Sequence, residues 1–209
     1  MQATDLLKEE HHGVKISLRI LEHLCAKLVE TPGAESSKYA ADLERLIEFF
    51  KVFVDKCHHA KEEDVLFPAL VGTPTASELV RELLEEHASG RKLVVEMAEE
   101  LTRYQAGNKK AASNISEAAI RYARLLTDHI AKEDRDLYTI ADVKISAEDQ
   151  KEMVEVFEKI EIERIGMGTH EKFHEMLGEF KQKYLHLINE QIEYLDHFQN
   201  MKVLLHLKY

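Results

Sequence analysis

Four stretches of the chain place apolar side chains at alternating three- and four-residue intervals, the spacing that lines one face of an α-helix. From about Asp5 to Glu30 that face reads Leu7, Val14, Leu18, Leu21, Cys25 and Leu28, and Thr31-Pro32-Gly33 stops it. A second run, Ser36 to Leu70, carries Leu43, Ile47, Phe50, Val54, Val65 and Ala69 before the turn residues Val71-Gly72-Thr73-Pro74. Thr75-Ala76-Ser77-Glu78 has the Thr-x-x-Glu form of a capping box and opens a third run to about Gln105, with Leu79, Leu83, Val94, Met97 and Leu101. The fourth covers about Lys110 to Ala141, with Ala119, Tyr122, Leu126, Leu137 and Ile140. Helices of similar length on short connections predict an all-α, up-down-up-down four-helix bundle over residues 1–143. Residues 144–209 form a C-terminal helical extension. It starts at Ser146-Ala147-Glu148-Asp149, is interrupted at Gly166-Met167-Gly168, and continues from Thr169 as an amphipathic helix with Leu185, Ile188, Ile192, Leu195, Met201 and Leu205. This extension is expected to pack on the bundle or on a partner subunit, making a homodimer.

Each apolar face is broken by polar residues at a place where a Leu is expected. They are His11 in the first helix, His58 with Glu62 in the second, His87 in the third, and His129 with Glu133 in the fourth. A His and a Glu four apart share one helix face, one turn above the other. The two pairs sit in a repeat: His58-His59-Ala60-Lys61-Glu62-Glu63-Asp64-Val65-Leu66-Phe67 recurs as His129-Ile130-Ala131-Lys132-Glu133-Asp134-Arg135-Asp136-Leu137-Tyr138. In an antiparallel bundle the six residues fall at one level. A buried carboxylate needs a partner, and a metal ion is the strongest available. Six mixed nitrogen and oxygen donors exceed one tetrahedral zinc and suit two first-row ions bridged by carboxylates. The third helix also carries Gly90, which costs about 1 kcal/mol against Ala in mid-helix and is read as a point of close helix packing.

Composition narrows the partners. The formal net charge of −11 argues against nucleic acid or an anionic membrane surface. Cys25 and Cys57 are in no Cys-x-x-Cys spacing, no signal-peptide pattern opens the chain, and no apolar run reaches membrane-spanning length. The expected setting is cytoplasmic.

The motifs resemble the hemerythrin-like, or HHE cation-binding, family. The matching segments are Glu10-His11-His12-Gly13-Val14, His58 through Pro68, Glu86-His87-Ala88-Ser89-Gly90-Arg91 and His129 through Asp134, in the family's order over about residues 5 to 141. The resemblance implies two iron ions in an oxo- or hydroxo-bridged non-haem centre, with zinc as a substitute. His11, His58, His87 and His129 are then terminal ligands, and Glu62 and Glu133 bridge. It implies binding or sensing of dioxygen, nitric oxide or reactive oxygen species. The alternatives are a di-iron peroxidase, oxidase or nitric oxide reductase, or an iron or zinc storage or delivery protein, so whether the chain is an enzyme stays open. Oxygen-carrying hemerythrins usually have five histidines. Here His59 is the candidate fifth, although its counterpart in the repeat is Ile130; without it, one iron keeps an open position apt for a diatomic ligand or peroxide. Glu63 either adds a ligand or faces solvent, and His12 lies beside the site or on the surface. The extension also resembles family members with a Glu-rich stretch, a Gly-x-Gly turn and paired histidines: Glu161, Glu163, Gly166, Gly168, His170 and His174. Three alternatives stay open: His170 and His174 bind a metal, Glu163 reaches the bundle site, or the histidines are exposed on an amphipathic helix. His23, His186, His197 and His206 carry no functional reading.

Overall fold

The computed structural model describes residues 2–31, 33–72 and 74–186. Helix α1 spans Ala3–Glu30 and opens on a capping box in which Gln2 and Asp5 satisfy each other's backbone. After a short 3₁₀ turn, Gly33–Glu35, helix α2 is α-helical over Ser36–Phe49, π-helical over Phe50–His59 and Glu62–Leu66, and α-helical again over Phe67–Leu70. Helix α3 is Pro74–Gln105. Helix α4 is α-helical over Ala111–Lys132, π-helical over Glu133–Leu137, and α-helical over Tyr138–Lys144. Helix α5, Ala147–Arg164, is capped by the Ser146 side chain accepting from the Asp149 N–H. Helix α6, Thr169–Phe180, continues as a π-helical turn over Lys181–Leu185. Thr75 lies inside the first turn of α3 and is not its cap. Pro74 takes that helix's first position, where its fixed φ fits and its missing N–H costs nothing.

Helices α1 to α4 form the predicted bundle, each packed on its two sequence-adjacent neighbours, with α4 closing on α1. The apolar interior is divided in two. One cluster, built on Leu18, Leu21, Phe50, Val54, Met97, Leu101, Tyr122 and Leu126, fills most of the bundle. The other, built on Leu7, Leu66, Phe67, Leu83, Leu137, Tyr138 and Phe157, closes one end. On every helix the change from one cluster to the other falls at the polar interruption: Leu7 and Val14 flank His11, and Leu83 and Val94 flank His87.

The π-helical turns correct the predicted faces. The Phe67 N–H donates to the Glu62 carbonyl and the Tyr138 N–H to the Glu133 carbonyl, each five residues back, so each turn holds one extra residue. Beyond Glu62 the buried positions are therefore Leu66, Phe67 and Leu70, while Val65 is half-buried and Ala69 exposed. Beyond Glu133 they are Leu137, Tyr138 and Ala141, not Ile140. Val80 replaces the expected Leu79 in α3 without such a turn. π-Turns of this kind concentrate at functional sites.

Helices α5 and α6 lie against the bundle. Phe157 joins the end cluster, while Leu177, Phe180 and Tyr184 join the main one. Arg45 bonds Glu179 through both guanidinium nitrogens, at 3.0 and 2.7 Å, and Arg164 bonds Asp64 at 2.9 Å. Gly166 and Gly168, in the turn between α5 and α6, have φ of 84° and 76°, a conformation that favours glycine. The apolar positions expected at Ile188, Ile192, Leu195, Met201 and Leu205, and the subunit pairing assigned to them, lie outside the described residues. Among the described residues no helix is long and apolar enough to cross a membrane, and Cys25 and Cys57 are buried free thiols.

Gly90 is buried between α3 and α4, but a Cβ there would meet the Tyr122 ring at 3.5 Å, an ordinary van der Waals contact. Close packing does not demand the glycine. Gly90→Ala is expected to raise stability by about 0.5–1 kcal/mol in urea unfolding, from helix propensity and a stiffer unfolded chain.

Candidate metal centre

The π-turns place the repeat's histidines and carboxylates in the layer between the two apolar clusters. His11, His58, Glu62, His87, His129 and Glu133 are at most 2% exposed, and all six converge there. His11 and His58 bring their Nε2 atoms to 3.1 Å, and His87 and His129 bring theirs to 3.0 Å. The carboxylates lie between these pairs. Glu62 Oε2 is 3.5 Å from His87 Nε2 and 3.8 Å from His58 Nε2; Glu133 is 3.1 Å from His129 Nε2 and 3.3 Å from His11 Nε2. A seventh residue joins them. His59, 4% exposed, stacks on the His87 ring with centroids 3.8 Å apart. The donor atoms fall into two groups that share Glu62: His59, Glu62, His87 and His129, and His11, His58, Glu62 and Glu133.

Four further acidic residues orient the histidines. The Nδ1 atoms of His11, His58, His87 and His129 meet Asp134, Glu10, Glu63 and Glu86 at 2.8, 2.8, 2.6 and 2.9 Å. A carboxylate accepts the proton on Nδ1 and leaves Nε2 as the inward donor, the arrangement that fixes metal-binding imidazoles. Cations hold these carboxylates in turn: Lys61 on Glu10, Lys132 on Glu86, Lys15 on Asp134 and Arg91 on Glu63. Glu63 therefore neither faces solvent alone nor donates inward. The sequence signals for these partners were the Glu-His dipeptides at Glu10 and Glu86 and the acidic residues following Glu62 and Glu133. Their role is visible only once the helices are paired.

The two halves of the site are related by an approximate two-fold repeat, broken at two points. His59 in one half faces Ile130 in the other, and Tyr138 corresponds to Phe67. Phe67 stacks on His87, with centroids 5.8 Å apart, and Tyr138 stacks on His11 at 5.5 Å. Only the tyrosine adds a hydroxyl, which donates to Glu62 Oε1 at 2.6 Å and lies 3.4 Å from His11 Nε2.

The donor set fits a cation and fits poorly without one. Pairs of Nε2 atoms face each other while their Nδ1 protons are engaged elsewhere. Glu62 Oε2, both Glu133 carboxylate oxygens and His59 Nδ1 are buried with no aligned hydrogen-bond partner, although imidazoles stand within ion-pair reach of the two carboxylates. Orphaned acceptors in a dry layer cost a few kcal/mol each. The electrostatics agree. Burial drives the Glu62 carboxyl well above its ordinary range, with the Glu133 charge adding to it. Burial pushes Glu133 the same way, but His129 and His11 outweigh it and hold that group ionised. Burial opposes charge on His129 as well, yet Glu133 and Glu86 raise it to about 9. Burial and the neighbouring imidazoles hold His59 well below the ordinary histidine range, leaving a lone pair free of protons.

Around the centre, a cleft of about 140 Å³ lined by Asp55, His59, Gly90, Arg91 and Tyr122 reaches His59 from the surface. Glu163 is exposed; it is Glu161 that reaches the bundle, 3.4 Å from Lys61 Nζ.

A four-helix bundle with a buried layer of histidines and shared carboxylates is a cation-binding fold. The chain belongs to the hemerythrin HHE cation-binding domain family, whose model matches residues 2–141. Its curated relatives include proteins of Mycobacterium tuberculosis and Mycobacterium bovis described only as uncharacterised. Each is 25% identical over 162 residues, covering 78% of this chain. The match spans 62% of those relatives' own length.

Proposed function

We propose that this chain holds two iron ions in the buried layer and uses them to bind or sense dioxygen, nitric oxide or a reactive oxygen species. The observation that carries the reading is the pairing of inward Nε2 atoms at 3.0 and 3.1 Å, each imidazole anchored through Nδ1, around two buried carboxylates of which Glu62 is common to both groups. His59, His87 and His129 would hold one ion, His11 and His58 the other, with Glu62 and Glu133 between them. Iron bound there supplies redox chemistry toward small diatomic ligands and peroxide. The protein's part is positioning and exclusion. The apolar clusters on either side keep water from the layer, and the cleft beside His59 admits only small molecules. The His11 side offers two imidazoles against three, so an ion held there would have room for a small ligand next to the Tyr138 hydroxyl.

That hydroxyl also favours a second reading, as a peroxidase, an oxidase or a nitric oxide reductase. A phenol 2.6 Å from a shared carboxylate is placed to hold and pass a proton during turnover. One experiment separates the two. Iron-loaded, anaerobically reduced protein is mixed with dioxygen, nitric oxide or hydrogen peroxide while absorbance and ligand consumption are followed. A change that saturates at about one ligand per chain supports binding or sensing, and sustained consumption supports the enzyme. No response to any of the three overturns both.

A further inference from the structure

Outside the bundle core, a second set of imidazoles repeats the geometry of the first. His170 and His174, one turn apart on α6, bring their Nε2 atoms to 2.8 Å, with their rings stacked at 4.6 Å. His170 Nδ1 meets Glu161 Oε1 at 2.9 Å, so its inward donor is Nε2, as in the four anchored histidines of the core. Both line a cavity of about 400 Å³ between α6 and α1, where Glu9, Glu10 and His12 face them. Three imidazoles and two carboxylates thus border one cavity, all of them outside the group that meets in the core.

From this geometry we infer a separate metal site, in which His170 and His174 bind one divalent first-row transition ion, such as zinc, with His12 and Glu9 available across the cavity. Two histidines at i and i+4 on one helix face are a recurrent pair of ligands for a single ion. Nitrogens about 2.0–2.1 Å from a shared ion stand about 3.0–3.4 Å apart, so the observed pair needs to open by only a few tenths of an ångström. Imidazole donors suit zinc and its neighbours, not magnesium or calcium. The other face of His170 is already served. Glu10 and Glu161 approach it closely enough to form a carboxylate group, but the Lys61 ammonium sits against both and supplies the positive charge there. The ion therefore belongs on the Nε2 side, toward the cavity. A continuous line of polar contacts also runs from His170 through Glu161, Lys61 and Glu10 to His58 in the core. The inference does not depend on the identity or presence of metal in the core.

The test is zinc uptake by the full-length, iron-loaded protein, measured by competition with a chromophoric chelator. Iron is counted in the same samples, so that displacement from the core is seen. The native chain should bind one more zinc per chain than the His170→Ala, His174→Ala double variant, with iron content equal in both. The single variant His174→Gln, at an exposed position, should lose that zinc without loss of helicity. Equal zinc uptake by the native chain and both variants would overturn the site.

Discussion

Glu133→Ala is expected to strip the centre of metal and to lower the stability of the metal-free protein by about 3–5 kcal/mol, the cost of leaving a buried charge without its partner. Glu133 is fully buried beside His129 and His11, and its negative charge helps raise the pKa of both, that of His129 to about 9. Glu62→Gln should behave differently. Burial and the neighbouring Glu133 charge push the Glu62 carboxyl well above its ordinary range, so little charge is lost with the substitution, and a glutamine oxygen can still accept from Tyr138. Its metal-free stability should change by less than about 1 kcal/mol, the scale of one net hydrogen bond. Its metal affinity should nevertheless fall by more than the ~10–100-fold typical of losing a residue that only orients a ligand. Urea unfolding of the metal-free variants, set beside their metal content, separates the two effects. If Glu62→Gln retains metal like the native chain, Glu62 is no ligand.

Lys61→Met should destabilise the fold by about 3–5 kcal/mol, whereas Lys132→Met, at the equivalent position of the repeat, should cost under about 1 kcal/mol. Lys61 is only 3% exposed. Its partner Glu10 is half-buried, and that desolvation raises its pKa, but His58 and Lys61 together pull it down to about 2, so a fixed carboxylate remains when the lysine goes. Glu10 also orients His58, and Glu161 ties Lys61 to α5, so helix docking and the centre loosen together. Lys132 serves Glu86 in the same way, but both side chains reach water, which screens the pair. Denaturant midpoints of the two variants give the comparison. Equal losses would show that burial does not distinguish the two lysines.

Much of this was legible in the chain because the bundle is regular. Apolar spacing placed the four helices, and a histidine in an apolar face marks a departure that only a shared partner explains. The π-turns were not legible. Nothing in Glu62-Glu63-Asp64-Val65-Leu66 announces an extra residue per turn, since a single inserted residue leaves the local composition unchanged. That is why Leu66 and Leu70, not Val65 and Ala69, face the interior. The same winding spreads less angle between neighbouring residues, so His58 and His59 both point inward where an α-helix would splay them by about 100°. The repeat puts Ile130 at the position equivalent to His59 and so does not assign His59 to the site. The site's symmetry is broken there and at Tyr138, and a repeat comparison cannot say which copy carries the function. Partners such as Asp134 for His11 join residues 123 positions apart, beyond any local pattern.

The proposed di-iron centre rests on two ions sharing Glu62 and Glu133. Its most direct test is the iron content of the reconstituted full-length protein after gel filtration, measured beside the His170→Ala, His174→Ala variant so that the outer site is not counted. Two iron ions per chain are expected in both proteins. One iron or none would contradict it.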